Sequence, residues 1–139
     1  MNTQEALQVL AQLRDQVGPG LDTELGTRRD AAYLKVANKA DPPDFAVVWT
    51  PGDRWFSLDV AGGFSLVYIE EETPGDEVRE RLDSYLSIGL RYLSGDRENV
   101  RSKLLRIPSV RVGSGGNAVT LRLSLVDEVR HLFGRRREG

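Results

Sequence analysis

This chain of 139 residues predicts an α+β fold: one mainly antiparallel sheet of five to six strands with N-terminal, central and C-terminal helices. Two observations carry that expectation. Apolar residues recur at helical spacing in separated stretches and alternate with polar residues between them. The resulting order is helix, four strands, long helix, two strands, helix, which lacks the regular strand–helix alternation of a parallel sheet. The length suits one domain with one core, expected over residues 1–134 with a basic tail at 135–139.

Asn2 and Glu5 have the spacing of a capping box, and Leu7, Leu10, Leu13 and Val17 share a face before Gly18-Pro19-Gly20, so the chain opens with an amphipathic helix. Residues 21–30 are polar and read as a lead-in. Ala32, Leu34 and Val36 alternate with Tyr33 and Lys35 as a half-buried strand requires. Asp41-Pro42-Pro43-Asp44 lacks ladder donors and should separate that strand from the run Phe45–Thr50, which Pro51-Gly52-Asp53 ends. Arg54–Val60 and Phe64–Glu70 flank Ala61-Gly62-Gly63 and predict a tight hairpin.

Thr73-Pro74-Gly75-Asp76 combines an N-cap, a first-turn proline and an acid. Val78, Leu82, Tyr85, Leu86, Gly89 and Leu93 then follow at helical spacing, giving a long helix that ends near Gly95. Residues 96–105 suit a short helix through Val100 and Leu104 or the start of a strand through Leu105 and Ile107; the helix is the preferred reading. Val110 and Val112, the glycine-rich stretch 113–117, and Val119, Leu121 and Leu123 predict a second hairpin. Ser124 and Asp127 repeat the capping spacing, and Leu125, Val129, Leu132 and Phe133 form the face of a closing helix that stops at Gly134.

Composition narrows the function classes. Charged residues make up 29% and hydrophobic residues 40%, the balance of a globular protein rather than a disordered one. There is no run of 18 apolar residues and no basic-then-apolar leader, so neither a membrane span nor a secretion signal is expected. With no cysteine, thiolate metal sites, disulfides and cysteine nucleophiles are excluded, which fits a cytoplasmic address. One histidine, His131, cannot build a multi-histidine metal site. A net charge of −2 argues against nucleic acid as a partner. Arg135, Arg136 and Arg137 read as a solvated terminus.

No catalytic residue, metal site or cofactor is expected. Gly113, Gly115 and Ala118 match a dinucleotide fingerprint in spacing, but that chemistry needs a helix N-terminus after the glycines, and a strand is predicted there. His131 lies near a predicted helix C-terminus, where a cation is favoured without any catalytic role. Glu70, Glu71 and Glu72, with Asp76 and Glu77, read first as acids that complement a helix dipole and only then as ligands of a hard cation. An enzyme built from Asp53, Asp59 and Glu70–Glu72 around a cation is the weakest reading, because no carboxylate spacing matches a known metal loop.

The first hairpin carries the candidate site. A two-residue Gly62-Gly63 loop pairs Trp55 with Glu70, Ser57 with Tyr68 and Asp59 with Leu66, which puts those side chains on one face. Phe56, Leu58, Val67 and Ile69 then occupy the opposite face as core. Trp55, Leu66 and Tyr68 bordered by Asp59, Glu70, Glu71 and Glu72 have the composition of a protein interface with a polar rim. The alternative is that this face packs under the N-terminal helix.

Glu80-Arg81-Leu82-Asp83-Ser84-Tyr85-Leu86, Gly95, Val100-Arg101 and Leu105-Arg106-Ile107-Pro108, preceded by the acidic Glu70–Glu72, resemble actinobacterial immunity proteins of polymorphic toxin systems over about a third of the chain. The resemblance implies a non-catalytic cytoplasmic protein that binds a cognate secreted toxin domain and covers its active site. Trp55 and Tyr68 would then serve as anchors, while Asp59 and Glu70–Glu72 would imitate an anionic substrate or steer a basic partner. The order of elements is also similar to dimeric α+β chaperones of secreted effectors, which implies contact between copies through the helix near 73–93. The two readings differ in oligomeric state, monomer against homodimer.

Overall fold

The computed structural model describes residues 1–69, 73–101, 108–113, 116 and 118–123. Helix α1 (Thr3–Arg14) begins as its cap predicts. The Asn2 side chain accepts from the Glu5 amide, and the Glu5 carboxylate accepts from the Asn2 amide. Its buried residues Ala6, Val9, Leu10 and Leu13 recur at three- and four-residue intervals and face the sheet.

Five strands follow as a meander: β1 (Leu21–Arg28), β2 (Ala31–Asn38), β3 (Asp41–Thr50), β4 (Trp55–Val60) and β5 (Phe64–Ile69). Helix α2 (Gly75–Leu93) then crosses the sheet, and β6 (Arg97–Arg101), β7 (Pro108–Val112) and β8 (Val119–Leu123) form a second meander. All pairs are antiparallel, in the order β1-β2-β3-β4-β5-β8-β7-β6. The two meanders meet where β5 joins β8, and among the described residues that ladder pairs Phe64 with Leu123 and Ser65 with Arg122.

The α+β class and the antiparallel sheet stand, but the sheet has eight strands rather than five or six, and two helices are described. Both additional strands are edges. Strand β1 lies in the segment read as a polar lead-in: Asp22, Thr23, Glu24 and Thr27 are exposed, while Leu21 and Leu25 pack on the core. Strand β6 replaces the short helix expected at 96–105 as far as Arg101, and four of its five residues are exposed. An edge strand is polar because half its surface meets water and charge there blocks pairing with other chains, so apolar alternation is too thin to see. The rest of 96–105 and the closing helix expected at 124–134 lie outside the described residues.

The prolines mark a smaller departure. Strand β3 includes Pro42 and Pro43, which are exposed and precede Ala46, where pairing with β4 starts. Pairing with β2 carries a register shift at Ala37 and Asn38. The missing donors therefore fall where little of the ladder needs them. Helix α2 starts one residue later than Thr73 would set it, with Pro74 at the N-cap and no side-chain cap bond.

Both helices cover one face of the sheet. There Leu34, Val36, Val48, Phe56, Leu58, Val110, Val112 and Leu121 meet Leu10 and Leu13 of α1 and Val78, Leu82, Leu86 and Ile88 of α2 in one buried cluster. Gly89 lets α2 approach closely, because a Cβ there would lie 3.1 Å from the Ala46 Cβ and 3.3 Å from the Leu58 Cδ1. The opposite face holds a second buried cluster of Ala31, Tyr33, Phe45, Val47 and Trp49.

Candidate binding surface

Strand β4 positions the candidate residues, and the turn after it decides where they point. The loop between β4 and β5 is Ala61-Gly62-Gly63, three residues rather than two, with Val60 opposite Phe64. Gly62 and Gly63 have φ of 90° and 87°, the left-handed geometry that glycine supplies. Ala61 still donates to the Phe45 carbonyl at 3.2 Å, so it stays tied to β3 while leaving the β5 ladder. The pairs become Trp55 with Ile69, Phe56 with Tyr68, Ser57 with Val67, Leu58 with Leu66 and Asp59 with Ser65.

One residue of slip moves every β5 side chain to the other face. Trp55 and Asp59 therefore point to the face away from the helices, whereas Leu66 and Tyr68 pack against the helix-side core. Trp55 and Tyr68 do not form a shared aromatic surface. Tyr68 lies against Phe56, with ring centroids 6.4 Å apart. Glu70, Glu71 and Glu72 lie outside the described residues. The assignment of Val67 and Ile69 to the core is also corrected: they are 47% and 79% exposed and flank Ser57 and Trp55 on the outer face.

Asp59 is a buried acid, 4% exposed, rather than part of an open rim. Its Oδ2 accepts from the Trp49 indole N–H at 2.7 Å and from the Ser57 hydroxyl at 2.9 Å. Loss of water raises its pKa from 3.8 to about 7, although both hydrogen bonds favour the charged form and oppose the rise. The Trp49 ring meets Trp55 edge to face, 5.1 Å between centroids at 84°. Lys35 lies over Phe45 and Arg28 over Tyr33, so cations screen the aromatic cluster along β2 and β1.

The outer face thus grades from a buried centre at Val47, Trp49 and Asp59 to half-buried Trp55 and then to exposed Val67 and Ile69. These last two lie beyond Phe64 and Ser65, the β5 residues whose pairing with β8 is described. Sequence reasoning missed both residues, and the signal that finds them is loop length: counting Ala61 into the turn places Val67 and Ile69 beside Ser57 and Trp55.

Of the acids singled out in the sequence for an enzyme, Asp53 and Asp59 are the two whose placement is described. Asp53 precedes β4 and is six residues from Asp59, on the order of 15–20 Å along extended chain. Among the described residues no group of three or more His, Asp or Glu is placed to hold a metal ion. The described element after Gly113 is strand β8. An open groove of about 490 Å³ is lined by Phe64, Asn99, Val100, Arg101, Pro108 and Ser109, with no carboxylate among these residues. No helix among the described residues is long and apolar enough to cross a membrane. His131, Ser124 and the arginine tail lie outside the described residues.

Comparison of the chain with protein-family models, with curated proteins and with solved structures returned no match.

Proposed function

We propose that this chain is a non-catalytic protein-binding domain whose contact surface centres on Ile69 and Val67, with Trp55 as the half-buried aromatic behind them. The observation that carries this reading is the exposure of two adjacent large apolar side chains on the outer face, 79% and 47%, next to a tryptophan. Apolar patches beside aromatic anchors are what interface centres are made of.

The partner class follows from the resemblance to immunity proteins: a secreted toxin domain, neutralised by covering its active site. Glu80–Leu86 lie on α2, Gly95 ends that helix at φ 93°, and Val100 and Arg101 lie on β6. Contact between copies through α2 is the less favoured reading. Val78, Leu82, Tyr85, Leu86, Ile88, Tyr92 and Leu93 are used inside the chain's own core, and Asp76, Glu77, Arg79, Glu80 and Arg91 face water.

Co-expression with a secreted toxin domain found beside this chain's gene tests the reading. Protection of the cell by the wild type and its loss with Ile69→Asp is the expected outcome. Unfolding stability should stay within about 0.5 kcal/mol, since the side chain is exposed. Protection that survives both Ile69→Asp and Val67→Asp would remove this surface from the interaction. Absence of protection by the wild type would remove the partner class.

A further inference from the structure

Strand β1 stands at one end of the sheet order, and Asp22, Thr23, Glu24 and Thr27 along it are exposed. Its register on β2 runs without a shift from Leu21 opposite Asn38 to Arg28 opposite Ala31. The strand holds no proline, lysine or bulge, the usual guards of a free edge. The turn into β2 fixes which backbone groups reach that edge. Arg29 and Asp30 have φ of 49° and 64°, the geometry of a two-residue hairpin loop that makes Arg28 and Ala31 a hydrogen-bonded pair. Alternation then commits the N–H and C=O groups of Asp22, Glu24, Gly26 and Arg28 to β2 and turns those of Leu21, Thr23, Leu25 and Thr27 outward.

Charge on an edge turns away strands whose charges do not match. About Leu25, β1 matches a reversed copy of itself: Asp22 falls opposite Arg28, Thr23 opposite Thr27, Glu24 opposite Gly26 and Leu25 opposite Leu25. The backbone phase agrees with that register. Leu25 and the two threonines, whose backbone groups point outward, become hydrogen-bonded pairs. Asp22 and Arg28 become a non-hydrogen-bonded pair, the kind whose side chains lie closer together. Opposite charges and facing threonines are both favourable across strands.

Helix α1 supplies the apolar area that an edge strand lacks. Gln12 accepts from Arg79 of α2, so that flank of α1 faces α2. Leu7, five residues earlier, falls on the opposite flank with Ala11 one turn further on, and both are half-buried, as is Leu25. Leu7 and Leu25 each pack on the helix-side core with part of their surface left in water.

We propose that this chain forms a two-fold dimer in which β1 pairs about Leu25 with β1 of a second copy, and Leu7 and Ala11 of the two α1 helices meet over the seam. The axis is perpendicular to the sheet, so the sheet runs on through both copies and their outer faces lie on the same side. The pairing does not depend on the protein-binding reading.

Sedimentation equilibrium of the full chain over a wide range of concentration should report a reversible monomer–dimer equilibrium. Asp22→Arg sets arginines opposite each other at both ends of the seam, and Arg28→Asp sets aspartates there. Each variant alone should dimerise roughly tenfold or more weakly. An equal mixture of the two, in which every 22–28 pair is again opposite in charge, should associate as the wild type does, which also shows that both are folded. Thr23→Pro removes a donor from the free edge and none from the β1–β2 ladder, and should leave the chain monomeric. A wild type that stays monomeric at every concentration overturns the proposal. So does a dimer that the three substitutions leave unchanged.

Discussion

Asp59 is the residue whose chemistry departs furthest from what its type suggests. An aspartate beside a tryptophan on a strand reads as a rim acid, yet Trp49 and Ser57 hold it in a dry site with a pKa of about 7. Between about pH 4 and 7 the folded chain keeps a proton that the unfolded chain has lost. This contribution to stability is therefore fully present below pH 4, falls as pH rises through that window, and is gone above it. A rise from 3.8 to about 7 sets an upper bound of roughly 4 kcal/mol on the effect. Asp59→Asn keeps an oxygen for the Trp49 indole and removes the charge. Denaturant unfolding at pH 5 and pH 8 should show the wild type losing stability at the higher pH relative to Asp59→Asn; parallel profiles for the two proteins would mean that Asp59 titrates normally.

At the scale of elements, close approach of α2 to β3 and β4 holds the helix side of the sheet together. Gly89 would ordinarily be a weak point in a helix, since alanine there favours helix by about 1 kcal/mol. A Cβ at this position meets the Ala46 Cβ at 3.1 Å, and that atom belongs to a central strand and cannot turn away. Overpacking typically costs about 1–3 kcal/mol, so the clash outweighs the propensity gain. Gly89→Ala is expected to lower unfolding stability by about 1 kcal/mol in a denaturant titration, and a stabilised variant would show that α2 has room to shift. The hairpin makes the same point about elements: its two strands and its glycines were legible, but a single alanine in the turn decided which side of β5 is core.

For the whole molecule, the narrow ladder between β5 and β8 is the governing feature. Strands β1–β5 and both helices share a core to which β7 and β8 add only Val110, Val112 and Leu121, and among the described residues β6, β7 and β8 join the sheet through two residue pairs and end on an exposed edge. Regions with few buried contacts open locally at lower free energy than the rest. Amide hydrogen exchange followed by mass spectrometry should find β6–β8 exchanging faster than β2–β4, and the order should persist with denaturant below the global transition. Equal protection across the seam would mean that the second meander unfolds only with the core.

Local chemistry was enough for the helices α1 and α2, for β2 to β5, for β7 and β8, and for the α+β class, because caps, glycine turns and apolar periodicity act over a few residues and leave a pattern in the chain. Strands β1 and β6 left no such pattern, since an edge strand draws its stability from the neighbour it pairs with rather than from its own apolar face. The candidate site was half legible for a related reason. Trp55 and Asp59 were found as residues, but their surroundings depend on register, and register is a relation between two strands. Only the folded sheet could turn Tyr68 inward against Phe56, carry Ile69 and Val67 outward, and bury Asp59 beneath Trp49.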